Sequence, residues 1–172
     1  INPGLAWKTR EHVWRSFLEN NGRFSYTYNE RIRPQLQRMI NELADRPFTR
    51  QAVISLWNPT IDVEKLGGSG RVPCSLYYHP MIRPTTEGVL RFDMTYAMRS
   101  CDLFTHFGND VWLATSMMNY LYEQVRDWVS PEIRERLVKG RFIHQIASFH
   151  AFRKDWDEME RRYYSWKGNR PS

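Results

Sequence analysis

The feature that most constrains the fold is a cluster of apolar segments in the middle of the chain, with helical patterns on both sides. Residues 52–57, 72–79 and 89–98 are rich in β-branched, leucine and aromatic residues, and Gly, Pro and Asn separate them. Such runs, bounded by turn-forming residues, are typical of strands. Residues 141–149 are apolar enough for one more strand. Strands gathered at the centre and helices on the flanks predict an α+β fold.

Four helices are predicted from apolar residues that recur at helical spacing. The second helix has the clearest apolar stripe. Pro47 follows it and marks its end, because a proline does not readily continue a helix. Pro131 follows the third in the same way. No repeat or dividing linker interrupts the pattern, so residues 1–172 are interpreted as a single domain. The predicted helices are residues 9–22, 29–45, 108–128 and 155–164.

The composition favours a globular protein with an anionic ligand. Hydrophobic residues make up 41% and aromatic residues 15% of the chain, which excludes the disordered class. A net charge of +6 suits a ligand that carries a phosphate. The basic residues alternate with acidic ones, as in residues 132–136, so nucleic-acid binding is disfavoured.

Two cysteines, Cys74 and Cys101, are too few for a disulfide framework. No apolar run approaches the ~20 residues of a membrane span, and the first residues show no signal-peptide pattern. A cytoplasmic protein without a membrane partner is therefore expected. The histidines have no zinc-ligand spacing with one another or with the cysteines, so no metal site is predicted.

Cys74 is the first candidate for chemistry. It follows the glycine-rich stretch 67–70 and Pro73, with basic residues nearby in sequence. A thiol needs an electropositive setting to ionise near neutral pH, so this position could hold a nucleophile. The same residue could instead be a small buried hydrophobic residue, and the pattern leaves both interpretations open.

Arg99, Ser100 and Asp102 form a polar cluster directly after the third predicted strand. Arg99 could hold a phosphate through paired hydrogen bonds, and Ser100 could donate another. Asp102 would repel a phosphate and must face something else; the alternative is a solvent-exposed strand end. His150 lies in an apolar stretch, where a histidine is either a packed core residue or a partner for a ligand hydroxyl.

In chain order, five segments resemble motifs of the thymidylate synthase superfamily, which includes the pyrimidine-nucleotide hydroxymethylases. The most specific is Arg-Ser-Cys-Asp-Leu-Phe at residues 99–104, which resembles the family's Arg-Ser-x-Asp-Val-Phe. Pro73-Cys74 resembles the nucleophile motif, and residues 150–152 stand where the family has His-x-Tyr. Residues 14–28 resemble a Trp-containing segment that ends in the active-site Tyr, and residues 49–58 resemble a Ser-Arg-Arg segment.

The resemblance, which spans residues 13–155, implies a mixed sheet flanked by helices, in a homodimer formed by sheet packing. It also leads us to expect that two parts of the family's fold lie outside this sequence. These are an N-terminal segment with the catalytic Glu and a C-terminal segment that closes over folate.

The resemblance further implies one-carbon transfer from 5,10-methylene-tetrahydrofolate to carbon 5 of a pyrimidine nucleoside monophosphate. Cys74 would add to carbon 6 of the base, and Tyr28 would be the active-site tyrosine. The other implied roles are phosphate binding by Arg99, Ser100 and Arg50 from the neighbouring subunit, sugar binding by His150, and folate binding by Trp14 and Asp102.

Asp110 stands where the synthases carry an Asn that reads uracil, and the hydroxymethylases that act on cytidylate show the same Asn-to-Asp change. A carboxylate is the natural acceptor for the exocyclic amine of cytosine. The alternative is an aspartate that caps a helix or complements its dipole. Hydroxymethylation of dCMP or CMP is therefore predicted, with Asp110 in substrate binding and catalysis. A synthase or hydroxymethylase acting on dUMP, or a nucleotide-binding homologue without catalysis, are the alternatives.

Four further positions depart from the family pattern. Gln51 replaces a second phosphate-binding Arg, and Ser75 replaces a His after the nucleophile. His106 stands in place of a Gly, and Phe152 lacks the phenol that binds the sugar 3′-hydroxyl. The last departure leaves both deoxyribose and ribose open.

Overall fold

A mixed sheet forms the centre of the computed structural model, which describes residues 26–68 and 71–168. The six strands in these ranges are β1 (Ile54–Ser55), β2 (Ser75–Pro84), β3 (Leu90–Met98), β4 (Cys101–Asp102), β5 (Leu137–Ile146) and β6 (Phe149–His150). The sheet order is β1-β2-β3-β5, antiparallel except for the parallel pair β3 and β5. The strands β4 and β6 form a separate parallel pair.

Helices flank this sheet, so the predicted fold class is confirmed. They are α1 (Tyr28–Asp45), α2 (Pro59–Asp62), α3 (Phe107–Trp128), α4 (Pro131–Arg136) and α5 (Trp156–Gly168), with 3₁₀ turns at Val63–Lys65 and Arg153–Asp155. Thr27 begins α1 with a capping box, exchanging hydrogen bonds with Glu30. The starts of α1 and α3 lie within one residue of the prediction. The predicted helix at residues 9–22, and Trp14 within it, lie outside the described residues.

The strand bounds differ from the predictions for physical reasons. β2 begins at Ser75 rather than residue 72, because the carbonyls of Val72 and Pro73 accept hydrogen bonds from the Arg99 side chain. β2 then continues through Pro80 to Pro84, which the sequence did not predict. β2 pairs with β1 only at Tyr77 and Tyr78. Pro80 and Pro84 therefore lie where this edge of β2 has no neighbouring strand that needs an N–H donor.

The core lies between the sheet and the helices α1 and α3. Alternate residues of β2 and β3 point to this side, and Ile82, Phe92 and Met94 among them are fully buried. From the helices, Ile40 and Leu43 of α1 and Leu121 of α3 join the same cluster. None of the helices in the described ranges is both long and apolar enough to cross a membrane.

A buried ion pair holds the segment after β1 against α1. The side chain of Asp62 is 0% exposed and accepts hydrogen bonds from both terminal nitrogens of Arg31, at 2.7 and 2.8 Å. The backbone N–H of Asn58 donates a third hydrogen bond to Asp62. Burial alone would raise the pKa of Asp62, but the hydrogen bonds from Arg31 and Asn58 outweigh it and lower the pKa. The carboxylate is therefore ionised at neutral pH.

The side of the sheet opposite the core, which we call the open face, carries two rows of residues in register. One row is Tyr77, Ala97 and Gln145; the other is His79, Thr95 and Ile143. Ile143 is 39% exposed, although it is a large apolar residue in the middle of a strand. Nε2 of His79 is buried and has no hydrogen-bond partner within the described residues.

Candidate active site

Cys74 lies directly before β2, half-buried, with the guanidinium of Arg99 beside its sulfur. The distance from Nη2 of Arg99 to Sγ of Cys74 is 3.9 Å. Two backbone carbonyls fix this guanidinium, since Nε donates to Pro73 at 2.9 Å and Nη2 donates to Val72 at 3.2 Å. The backbone N–H of Arg99 also donates to the carbonyl of Cys74 at 2.8 Å. The sulfur therefore has the cationic neighbour that a nucleophilic cysteine requires.

Tyr28, the first residue of α1, reaches the start of β2. Its hydroxyl accepts a hydrogen bond from the backbone N–H of Ser75 at 3.3 Å. Burial raises the pKa of the phenol, hydrogen bonding to Ser75 lowers it in part, and nearby Cys74 and Asp110 raise it further. Tyr28 is thus neutral at neutral pH and interacts electrostatically with both of the other predicted catalytic residues.

Asp110 lies in the first turn of α3, and its carboxylate faces Cys101 rather than a backbone N–H of its own helix. Oδ2 accepts a hydrogen bond from Sγ of Cys101 at 3.5 Å. Burial raises the pKa of Asp110, against the lowering effects of the Cys101 hydrogen bond and of His106. Asp110 in turn raises the pKa of the Tyr28 phenol. Because Tyr28 interacts electrostatically with both Asp110 and Cys74, these three residues form one electrostatic cluster.

A pair of hydroxyl groups, from Ser75 and Tyr96, lies beside this cluster and was not predicted from the sequence. Oγ of the fully buried Ser75 and the hydroxyl of Tyr96 share a hydrogen bond. The ring of Tyr96 stacks between Tyr78, at 4.7 Å, and His144, at 4.8 Å, from the two neighbouring strands. The sequence offered one signal, since Ser75 departs from the family's His, but its partner depends on the pairing of β2 with β3.

Asp102 and His150 are paired across β4 and β6. Oδ1 of Asp102 accepts hydrogen bonds from the backbone N–H groups of Phe104 and Thr105, at 3.0 and 3.1 Å. Burial would raise the pKa of Asp102, but these hydrogen bonds lower it, so the carboxylate is ionised. It stabilises the turn into α3, a role that was not predicted. His150 packs edge-on against Phe152 at 5.1 Å, with Nδ1 3.4 Å from the carbonyl of Ser148.

The remaining predicted site residues are less closely connected. Ser100 follows Arg99 and is half-buried. Arg50 is exposed in an open groove lined by residues 46–51. No hydrogen bond or ion pair between described residues joins Arg50 to Cys74 or Arg99. The described ranges also contain no group of three or more His, Cys, Asp or Glu that could hold a metal ion.

The family model for thymidylate synthase matches residues 6–165 of this chain. The chain belongs to the thymidylate synthase family. Two relatives named "Putative thymidylate synthase" come from Methanococcoides burtonii and Methanosarcina mazei. The first is 26% identical over 149 residues, which cover 83% of this chain and 60% of the relative. The second is 26% identical over 148 residues, which cover 83% and 59%.

A solved structure supports the fold of this thymidylate synthase family member. Thermostable thymidylate synthase A from Bacillus subtilis superposes with a TM-score of 0.63 and 16% sequence identity. The superposition covers 88% of this chain and 51% of the Bacillus chain. The chain thus spans about 60% of the length of the relatives it matches in sequence.

Proposed function

We propose that this protein transfers a one-carbon unit from 5,10-methylene-tetrahydrofolate to carbon 5 of a cytidine monophosphate, dCMP or CMP, and forms the hydroxymethyl product. The observation that carries the proposal is the carboxylate of Asp110, held in the same cluster as Cys74 and Tyr28. A carboxylate accepts from the exocyclic amine of cytosine but has no donor for the carbonyl oxygen of uracil. Membership of the thymidylate synthase family supports the reaction class.

The chemistry begins at Cys74. Its thiolate adds to carbon 6 of the base, and the electron pair of the 5,6 double bond makes carbon 5 nucleophilic. The folate supplies the one-carbon unit when it is bound. Carbon 5 bonds to this one-carbon unit and gives its proton to solvent, and tetrahydrofolate departs as an amine to leave an exocyclic methylene on the base. Water adds the hydroxyl group to this methylene, and departure of the Cys74 thiolate from carbon 6 restores the 5,6 double bond. Tyr28 is neutral, so it can donate a hydrogen bond in this site but cannot serve as a phenolate base.

Arg99 has capacity for a phosphate beyond its structural contacts. Nε and Nη2 donate to Pro73 and Val72, whereas Nη1 makes no hydrogen bond within the described residues. A partly anchored guanidinium with free N–H groups is well suited to a phosphate oxygen. Ser100 adds a hydroxyl, and Arg50 of a neighbouring subunit would complete this subsite.

The negative charge of Asp102 suits a contact with the folate. Its carboxylate is ionised and acts only as an acceptor, which matches the N–H donors of a reduced pterin. Two backbone N–H groups fix the carboxylate before any ligand binds. His150 lies on the paired strand and would hydrogen-bond the sugar. Trp14, the other proposed folate contact, lies outside the described residues.

We expect Asp110→Asn to shift base preference from cytosine toward uracil. An amide can donate to the carbonyl at carbon 4 of uracil, which the carboxylate of wild type cannot do. One such base contact carries about 1–3 kcal/mol, so the ratio of cytidylate to uridylate affinity should fall about tenfold or more. Dissociation constants for dCMP and dUMP, measured by calorimetry, give this ratio.

The matched control for this prediction is Asp127→Asn, the same change at an aspartate near the other end of α3. It should leave the ratio unaltered. An unchanged ratio in Asp110→Asn, in a variant that still binds nucleotide, would show that Asp110 does not read the base.

A homodimer through the open face is part of the proposal, since the family resemblance assigns Arg50 to the phosphate of a neighbouring subunit and no hydrogen bond or ion pair between described residues joins it to Arg99. Ile143, an exposed apolar residue in the middle of β5, supports an interface there. We expect sedimentation equilibrium to give a dimer mass for wild type and a monomer mass for Ile143→Arg. The control Val63→Arg changes an exposed residue elsewhere and should stay dimeric. A monomeric wild type would contradict this part of the proposal.

A further inference from the structure

Cys101 is the second cysteine of the chain, and the mechanism above gives it no role. It lies on β4 with only 2% of its surface exposed. Its backbone N–H donates to the carbonyl of Ser148 at 2.9 Å, and β4 pairs with β6. The side chain is therefore held on a fixed piece of backbone, nine positions before Asp110 in the sequence.

The thiol of Cys101 acts as a hydrogen-bond donor to a carboxylate. Sγ lies 3.5 Å from Oδ2 of Asp110, and at a longer 3.9 Å from the backbone carbonyl of Asp102. Burial raises the pKa of the thiol to about 12, and the charge of Asp110 contributes to the rise. The sulfur thus keeps its proton at neutral pH, as a donor must.

The two oxygens of Asp110 are consequently not equivalent. Oδ2 accepts from Cys101, whereas Oδ1 accepts no hydrogen bond within the described part of the chain. We propose that Cys101 is a positioning residue for base selection, an inference that rests on the proposed function. Its S–H group fixes Oδ2 and holds Asp110 as an acceptor whose Oδ1 meets the exocyclic amine of cytosine.

The physical reason for a donor at this place is the charge state of Asp110. Burial favours the neutral carboxyl, and a hydrogen bond to the carboxylate favours the ionised form. A neutral carboxyl carries an O–H group, which could donate to the carbonyl at carbon 4 of uracil. Without the thiol, Asp110 would more readily become protonated and its preference for cytosine would weaken.

Other groups also influence the titration of Asp110, and the experiment must hold them constant. Asp102 on β4 raises the pKa of Asp110, and His106 before α3 lowers it. Three tyrosines also face Asp110, whose charge raises the pKa of each: Tyr28 on α1, Tyr78 on β2 and Tyr96 on β3.

Cys101→Ala removes the donor, and Cys101→Ser keeps a donor of similar size. The first measurement follows the Asp110 carboxyl carbon by NMR during a pH titration of the ligand-free protein, with Asp110→Asn identifying the signal. We expect the pKa of Asp110 to rise by about 1 in Cys101→Ala, because one hydrogen bond to the ionised form is lost. Cys101→Ser should restore the value of wild type or lower it.

The second measurement is the ratio of dUMP to dCMP dissociation constants, at pH values on both sides of the titration. We expect the ratio to fall about fivefold to tenfold in Cys101→Ala and to recover in Cys101→Ser. In the Asp110→Asn background, Cys101→Ala should leave the ratio unaltered, because the carboxylate through which it acts is gone. A change in packing alone would not raise the pKa of Asp110 and lower the ratio of dissociation constants together, with both restored by Cys101→Ser.

The outcomes separate this inference from the proposed function. An Asp110 pKa that is the same in Cys101→Ala and wild type overturns the inference, whatever binds. A shifted pKa with an unaltered ratio overturns the assignment of Cys101 to base selection. If wild type binds none of the nucleotides, the proposed function fails, and the role of Cys101 in base selection fails with it. The pH titration then still decides whether Cys101 controls the charge of Asp110.

Discussion

Cys74→Ser is expected to abolish turnover and leave nucleotide binding nearly intact. A hydroxyl ionises far less readily than a thiol, so carbon 6 of the base loses its nucleophile. Removal of a nucleophile typically lowers the rate by about a thousandfold or more. The change removes no atom beyond the sulfur, and the guanidinium of Arg99 keeps its hydrogen bonds to Pro73 and Val72. Release of tritium from carbon 5 of labelled dCMP or CMP, with methylene-tetrahydrofolate present, measures the reaction.

The internal control is the affinity of the same variant for the nucleotide, which should stay within about threefold of wild type because the sulfur contributes to the reaction rather than to binding. Tritium release at the rate of wild type would remove Cys74 from the mechanism. Loss of both binding and turnover would instead assign Cys74 to the structure of the site.

Asp62→Asn is expected to lower the free energy of unfolding by about 3–5 kcal/mol, the usual result of breaking one side of a buried ion pair. The side chain of Arg31 is 11% exposed, and its charge would lose its carboxylate partner. Urea denaturation of wild type and variant under identical conditions measures the difference.

The matched control is Glu123→Gln, which makes the same chemical change in an exposed pair. Oε1 of Glu123 lies 3.0 Å from Nζ of Lys139, and the two side chains are 50% and 46% exposed. This variant should lose less than about 1 kcal/mol. A joint replacement, Arg31→Met with Asp62→Leu, should cost less than Asp62→Asn because it leaves no buried charge. Equal small losses in Asp62→Asn and Glu123→Gln would contradict the importance of the buried pair.

The sequence predicted what depends on local pattern. The apolar stripe of α1 and the alternating apolar residues of β3 each predicted the start of their element to within one residue, because burial on a regular helix or strand repeats along the chain. The start of β2 was predicted too early. There the Arg99 side chain takes the carbonyls of Val72 and Pro73, and no local pattern reports such a contact.

The sequence predicted candidate residues for the site but not the contacts between them. The family motifs pointed to Cys74, Arg99 and Asp110, and the structure adds how they are joined. The hydrogen bond between Ser75 and Tyr96 depends on the register of β2 with β3. The contact between Cys101 and Asp110 depends on the turn from β4 into α3. Such tertiary pairings are set by the fold, and a sequence read residue by residue does not contain them.

We propose that this thymidylate synthase family member has a site for a cytidine monophosphate. The most direct test is the thermal stability of wild type with dCMP, CMP, dUMP or UMP, each with and without a tetrahydrofolate. A nucleotide present at a hundred times its dissociation constant should stabilise the protein by about 2.7 kcal/mol, enough for a clear rise in Tm. We predict that dCMP or CMP raises Tm and that the uridylates do so much less. A larger rise in Tm with dUMP or UMP, or no rise with any of the four nucleotides, would contradict the proposed cytidine monophosphate site.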